Sequence, residues 1–296
     1  MTHAFIVLTH RQPLESARLL EALEPYDTFV HVDSSVGQVS IAGLPPHVCL
    51  APVRHCIHWG GYSMVRAMIE TLDFALRETE SNTRQFTFLS GQCYPIRSVA
   101  DFVHYSLTTA TPVLCRGYAL ASHPVPGMGT RRVTQRHWLD GPIGHLRKAH
   151  PNLLTRGLRR TMAWATVPFR VLPPDVQLTG GSQWSSLPRQ LCQELVCAYR
   201  VGSFDYLRNA YASDEIAIPT FVYNSPWRVL TPLGHPEQPQ LTTMAEFSNF
   251  HWLRPCMKGV ITVEDIAAAL SSDAYFIRKM PQDQRSPLFK RIQDAW

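Results

Sequence analysis

The chain has 296 residues, of which 45% are hydrophobic and 17% charged, and it carries a formal net charge of +5. That balance belongs to a folded globular protein and excludes disordered and fibrous classes. No basic region or cleavage site flanks the apolar residues 4–8, and no run reaches ~18 uninterrupted apolar residues, so neither a secretory signal nor a membrane span is expected. The seven cysteines contain no Cys-x-x-Cys pair, which removes zinc-ribbon and thioredoxin-type motifs and leaves reduced, mostly buried thiols.

In chain order, residues 4–9 form a strand-like run that stops at His10, and Pro13 opens helical spacing that continues to Leu23. A second strand is expected over 28–32, followed by Asp33-Ser34-Ser35, and a third over 47–50. Residues 62–77 carry an apolar stripe of Met64, Ala67, Met68, Leu72 and Leu76 and predict a helix. The central strand is 86–89, which breaks off at Ser90-Gly91. Ser98 suits the cap of a helix to about 106, and 112–116 resembles another strand.

Strands alternating with helices predict an α/β fold, a mixed sheet flanked by helices. Ligands of such sheets sit beyond the carboxyl ends of the strands. Residues 120–175 interrupt the pattern with proline- and glycine-rich turns, and 131–170 set nine arginines and lysines against Asp140 alone. This irregular basic insertion is either a solvated face or a surface for an anionic partner. Beyond it, Gly180-Gly181-Ser182-Gln183-Trp184 reads as a tight loop before a helix over 188–199. Ser213 is the expected cap of a helix that opens with Asp214 and Glu215, and a further helix is expected over 263–270.

Several chemistries lack their motifs. There is no Gly-x-Gly-x-x-Gly after the first strand, no Walker-type loop, no His-Glu-x-x-His and no Gly-x-Ser-x-Gly. A set of ordered strings remains: Leu8-Thr9-His10, His31-Val32-Asp33, Trp59-Gly60-Gly61-Tyr62-Ser63, Leu89 to Pro95, Gly181 to Trp184, Ser213-Asp214-Glu215 with Asn224-Ser225-Pro226, and Phe276 to Lys279. Together these resemble the core-2/I-branching β-1,6-N-acetylglucosaminyltransferase and peptide O-xylosyltransferase family.

The resemblance implies a GT-A-like, Rossmann-type single domain. Residues 1–118 would form the nucleotide-binding half, 119–176 the basic insertion lobe, and 177–296 the acceptor and catalytic half with a C-terminal diphosphate-binding segment. It further implies an inverting transfer from a UDP-sugar, GlcNAc or xylose, with UDP-glucuronate as an alternative donor. No cofactor and no divalent metal are implied, and the chain has no Asp-x-Asp.

By the same resemblance Glu215 is the general base, and Leu8, Thr9, His10, Asp33 and Trp59 meet uridine and ribose. Lys279 takes the diphosphate together with Arg254 or Lys258. Gln183, Trp184 and Asp214 are expected in the acceptor or sugar pocket. Plainer readings stand beside these: Asp33 as the cap of its own turn, Trp59 and Trp184 as packing residues, and Asp214 and Glu215 as residues that favour a helix start. Cys93 stands where the family carries Asp, which removes a charge near the expected donor site.

Without an anchor, the chain looks like a bacterial cytoplasmic member acting on a glycan or lipid-linked glycan in surface polysaccharide synthesis. Residues 131–170, with Trp138, Trp164 and Phe169, would then touch the anionic inner face of the plasma membrane. Nucleic acid is not an expected partner. The competing reading from another class is a carbohydrate- or nucleic-acid-binding module without turnover.

Overall fold

The computed structural model describes residues 3–124, 129–140, 172–236, 248–254 and 259–295, together with Gly157 and Thr161. A five-stranded mixed sheet organises these residues. Its strands are β1 (His3–Thr9), β2 (Asp27–Val32), β3 (Val48–Leu50), β4 (Gln85–Ser90) and β8 (Ser186–Pro188), in the order β3-β2-β1-β4-β8. The first four are parallel, and β8 pairs antiparallel with β4.

β1 is central because every one of its residues is buried, and period-2 alternation splits them between two layers. Ala4, Ile6 and Leu8 face the core formed with α2 (Tyr62–Glu78), α5 (Arg189–Arg200) and α6 (Asp214–Tyr223). Phe5 and Val7 face the opposite core, with α1 (Ala17–Ala22) and α3 (Val99–Thr108). Burial of each large side chain here contributes roughly 1.5–3 kcal/mol.

Smaller strands complete the frame. β5 (Tyr94–Pro95), β10 (Phe276–Arg278) and β9 (His251–Leu253) form a second sheet, and β6 (Gly117–Ala119) pairs with β7 (Thr179–Gly181). Helices α7 (Val263–Leu270) and α8 (Pro287–Gln293) close a third apolar cluster over Tyr94 and Ile277.

The long elements match their sequence signals, and the differences have local causes. The first helix opens as a 3-10 turn over Pro13–Ser16, where proline is tolerated but donates no N–H. The 112–116 strand reduces to one bridge, Leu114 with Ser186, and regular pairing begins at Gly117. The expected 180–184 loop begins inside β7, where a Cβ at Gly181 would strike the Arg116 carbonyl. Ser98 caps α3 by accepting from the Asp101 N–H, but the Ser213 hydroxyl makes no cap bond because its backbone is already helical.

Most of the insertion, including Arg147, Lys148, Arg156, Trp164 and Phe169, lies outside the described residues. One turn of it, α4 (Arg131–Thr134), is described, and Asp140 anchors it. The Asp140 carboxylate accepts from the Ser63 N–H at 3.0 Å and the Ser63 hydroxyl at 2.7 Å, capping α2 from a distant part of the chain. Gly61 must lack a side chain there, since a Cβ would overlap that carboxylate.

Candidate active site

The order β3-β2-β1-β4 places the reversal of strand order between β1 and β4, where flanking loops part and leave a crevice. A cleft of about 880 Å³ opens there. Leu8, Thr9, His10 and Arg11 at the end of β1, and Ser90, Gly91 and Gln92 at the end of β4, form its floor. The floor is fixed on both sides of β1: the Gly91 N–H donates to the Leu8 carbonyl and the Asp33 N–H to the Thr9 carbonyl, both at 2.9 Å. Gly91 is required by close approach, since a Cβ would sit 2.5 Å from the Ser16 hydroxyl.

The start of α6 brings Asp214 and Glu215 to the same cleft, and the end of β10 brings Arg278 and Lys279. Gln183 and Trp184 form part of the wall between them, and Trp59 and Tyr211 meet edge to face at 5.7 Å on another part of it. Trp59 is 64% exposed, so it is a surface aromatic rather than a packed core residue. Of the expected site residues, Leu8, Thr9, His10, Trp59, Gln183, Trp184, Asp214, Glu215 and Lys279 therefore share one cavity.

Others do not line it. Asp33 spends Oδ1 on the Ser35 N–H at 2.8 Å and Oδ2 on the Ile57 N–H at 3.2 Å, which is the turn-capping role its Asp-Ser-Ser sequence allows. It supports the turn at the end of β2. Arg254 pairs with Asp265 at 3.2 Å, and that same carboxylate closes the capping box of α7. Lys258 lies outside the described residues.

A further cation of the cleft, to which the sequence reading gave no role of its own, is Arg278. It lines the cleft, donates from Nε to the Ser90 hydroxyl at 2.9 Å, and lies over the Trp184 ring at 5.0 Å. Burial lowers its pKa, and Cys93, Asp214 and Glu215 oppose that. The Lys279 pKa is lowered by partial burial and by Arg278 beside it. Behind Arg278, the Cys93 thiol lies 3.2 Å from His251 Nε2, and burial raises its pKa, so position 93 is neutral.

The acidic side has its own partner, which the sequence reading placed in the insertion. Arg132, 1% exposed, donates to Glu215 Oε2 at 2.7 Å and to the Tyr118 hydroxyl at 3.0 Å. Burial alone would lower its pKa, but Glu215, Tyr118 and Asp214 reverse this and raise it. Asp214 is pushed up to about 7 by burial and by the Glu215 charge, against the pull of Arg132. Asp214 lines the cleft, and its Oδ1 is buried with no hydrogen-bond partner among the described residues. Among the described residues, no group of three or more His, Cys, Asp and Glu side chains is arranged to hold a metal ion.

Such a cleft brings a carboxylate pair and a cation pair to one space large enough for a small polar ligand. The cations suit a phosphate-bearing ligand, and the carboxylates suit hydroxyl groups or a proton in transit.

Residues 3–113 match the model of the Core-2/I-Branching enzyme family, a family of glycosyltransferases. The match spans β1 to the residue before the Leu114 bridge and includes the whole cleft floor. Gln183, Trp184, Asp214, Glu215, Arg278 and Lys279 come later in the chain. No curated protein matches the sequence. No described helix is long and apolar enough to cross a membrane.

Proposed function

We propose that the protein is an inverting glycosyltransferase that moves a sugar, GlcNAc or xylose, from a UDP-sugar to a hydroxyl of a glycan or lipid-linked glycan without a divalent metal. The observation that supports this reading is the meeting of Asp214 and Glu215 with Arg278 and Lys279 in one cleft, above a floor that lies within the matched family segment. The uridine would rest on the loops after β1 and β4.

In the transfer, Glu215 takes the proton of the acceptor hydroxyl while that oxygen bonds to the anomeric carbon. The bond from that carbon to the diphosphate oxygen breaks in line, and UDP leaves with the electron pair, so configuration inverts. A positioned base of this kind contributes about 10²–10⁴ in rate. Arg278 and Lys279 meet the charge that develops on the leaving diphosphate, the task a metal performs in other enzymes. Asp214 would border the sugar beside Glu215. Trp59 and Tyr211 give a sugar ring an apolar face at the mouth.

UDP release from UDP-GlcNAc, UDP-xylose and UDP-glucuronate, measured with and without EDTA, tests the reading. Release from one donor that persists in EDTA, with product of inverted anomeric configuration by NMR, is expected. Loss of activity in EDTA that a divalent ion restores removes the metal-free claim. Absence of release from every donor, with tight and steeply salt-dependent polynucleotide binding instead, would favour a binding module.

A further inference from the structure

We propose that Arg132 is the positioning residue of the transfer step, holding the Glu215 carboxylate through Oε2 so that Oε1 is left to take the acceptor's proton. The inference rests on the glycosyltransferase reading above and concerns a residue of the basic insertion that is fully enclosed. A guanidinium this deep persists only when its charge and its N–H groups are met. Here they are met from three directions: the Tyr118 hydroxyl at 3.0 Å, the Tyr211 and Ala212 carbonyls at 3.2 and 2.8 Å, and Glu215 at 2.7 Å.

The geometry couples backbone to carboxylate. A single nitrogen, Nη2, donates both to the Ala212 carbonyl and to Glu215 Oε2, so the guanidinium fixes the chain entering α6 and the side chain on its first turn together. Ala212 itself sits at φ 49, in the left-handed region that alanine disfavours. It is held there from both sides, since its N–H donates to the Gly60 carbonyl at 2.7 Å. A strained residue kept by several bonds, two positions before Asp214, indicates that the start of α6 is pre-set. Arg132 is thereby a fixed link between the insertion and the carboxylate pair. The other charged or titratable groups that act on that pair are Tyr118 and Arg278.

The test uses the full chain, with UDP release from the fastest donor of the panel and UDP binding by calorimetry. In Arg132→Met, kcat should fall about 10²-fold while the Kd for UDP stays within about twofold, the loss expected when a base is no longer held in place. The acid limb of the pH profile should move to higher pH, because the cation that opposes protonation of the carboxylates is gone. Arg132→Lys, which restores the charge without the fork, should recover part of kcat and most of the acid limb. A packing role alone would lower Tm with kcat and the pH profile unchanged, and that result overturns the inference.

If Arg132→Met does not fold, Tyr118→Phe removes one bond to the guanidinium and leaves the charge. A drop in kcat of about threefold or more at unchanged UDP affinity supports the inference, and wild-type kcat overturns it. Glu215→Gln separates the two levels. If it retains turnover, or if no donor is turned over by the native chain, the parent reading fails and takes the inference with it. If it is inactive while the Arg132 and Tyr118 variants behave as wild type, only the inference fails.

Discussion

Arg278 lies over the face of Trp184, with its guanidinium carbon 5.0 Å from the ring centroid, while its Nε is tied to Ser90 at the end of β4. Neither residue is held by the other alone: the Trp184 carbonyl accepts from Asn249, and its N–H donates to Ser182. Stacking on an aromatic face stabilises a desolvated cation by about 0.5–2 kcal/mol. Trp184→Leu should therefore weaken UDP binding about 2- to 30-fold, read by calorimetry, with the larger effect where the diphosphate is fully enclosed. Unchanged UDP affinity would detach Arg278 from the leaving group.

Asp140 caps α2 through two bonds to Ser63, and α2 carries the buried stripe that packs on β1. Loss of such a cap costs about 0.5–2 kcal/mol. Asp140→Ala is expected to lower unfolding free energy by about that amount in urea titrations, and Gly61→Ala to do likewise through overlap with the same carboxylate. Wild-type stability in both would mean that the insertion is not tied to α2 through this contact.

Acid should destabilise the fold in a defined window. Burial lowers the pKa of His3 and His251 to about 3 and that of His31 to about 4, from an ordinary 6.5. Below pH 6.5 the unfolded chain binds protons that these folded imidazoles refuse, so stability is complete above that pH and falls as pH drops toward the folded values. Each contributes about 1.4 kcal/mol per pH unit in that range. Asp214 acts in the opposite sense, because its folded pKa of about 7 exceeds the ordinary 3.8 and its contribution is lost as pH rises through 7. With one imidazole offset in this way, stability at pH 5.5 should lie about 2 kcal/mol below that at pH 7.5. Equal or greater stability at pH 5.5 contradicts this.

The sheet core was legible because β1, β2 and β4, strands of six or seven residues, carry aromatic and aliphatic residues at their centres, and α2 repeats its stripe over four turns. The positions beyond the strand ends followed from that pattern, which is why His10 and Gly91 stand where a ligand site was expected. Strands β9 and β10 were not legible, since three residues give no periodicity and pairing partners are supplied from distant segments.

Charged side chains were read least well, for one reason. In sequence, Arg132 belongs to a basic run and Arg278 to an Arg-Lys pair, both of which look solvated. Only closure of the chain buries one against Glu215 and the other against Trp184. Asp33 and Arg254 went the other way: each meets local partners, Ser35 and Ile57 for the first and Asp265 for the second, that leave it outside the cleft. The Asp-Ser-Ser turn was the signal for Asp33, and Thr262 followed three residues later by Asp265 was a capping box that would have claimed Asp265.

The central claim is that one carboxylate primes the acceptor while fixed cations receive the departing UDP. The most direct measurement compares Glu215→Gln with the native chain in steady-state UDP release and in UDP calorimetry. Turnover is predicted to fall at least 10²-fold with UDP affinity unchanged within about twofold. Native turnover in Glu215→Gln would contradict the account.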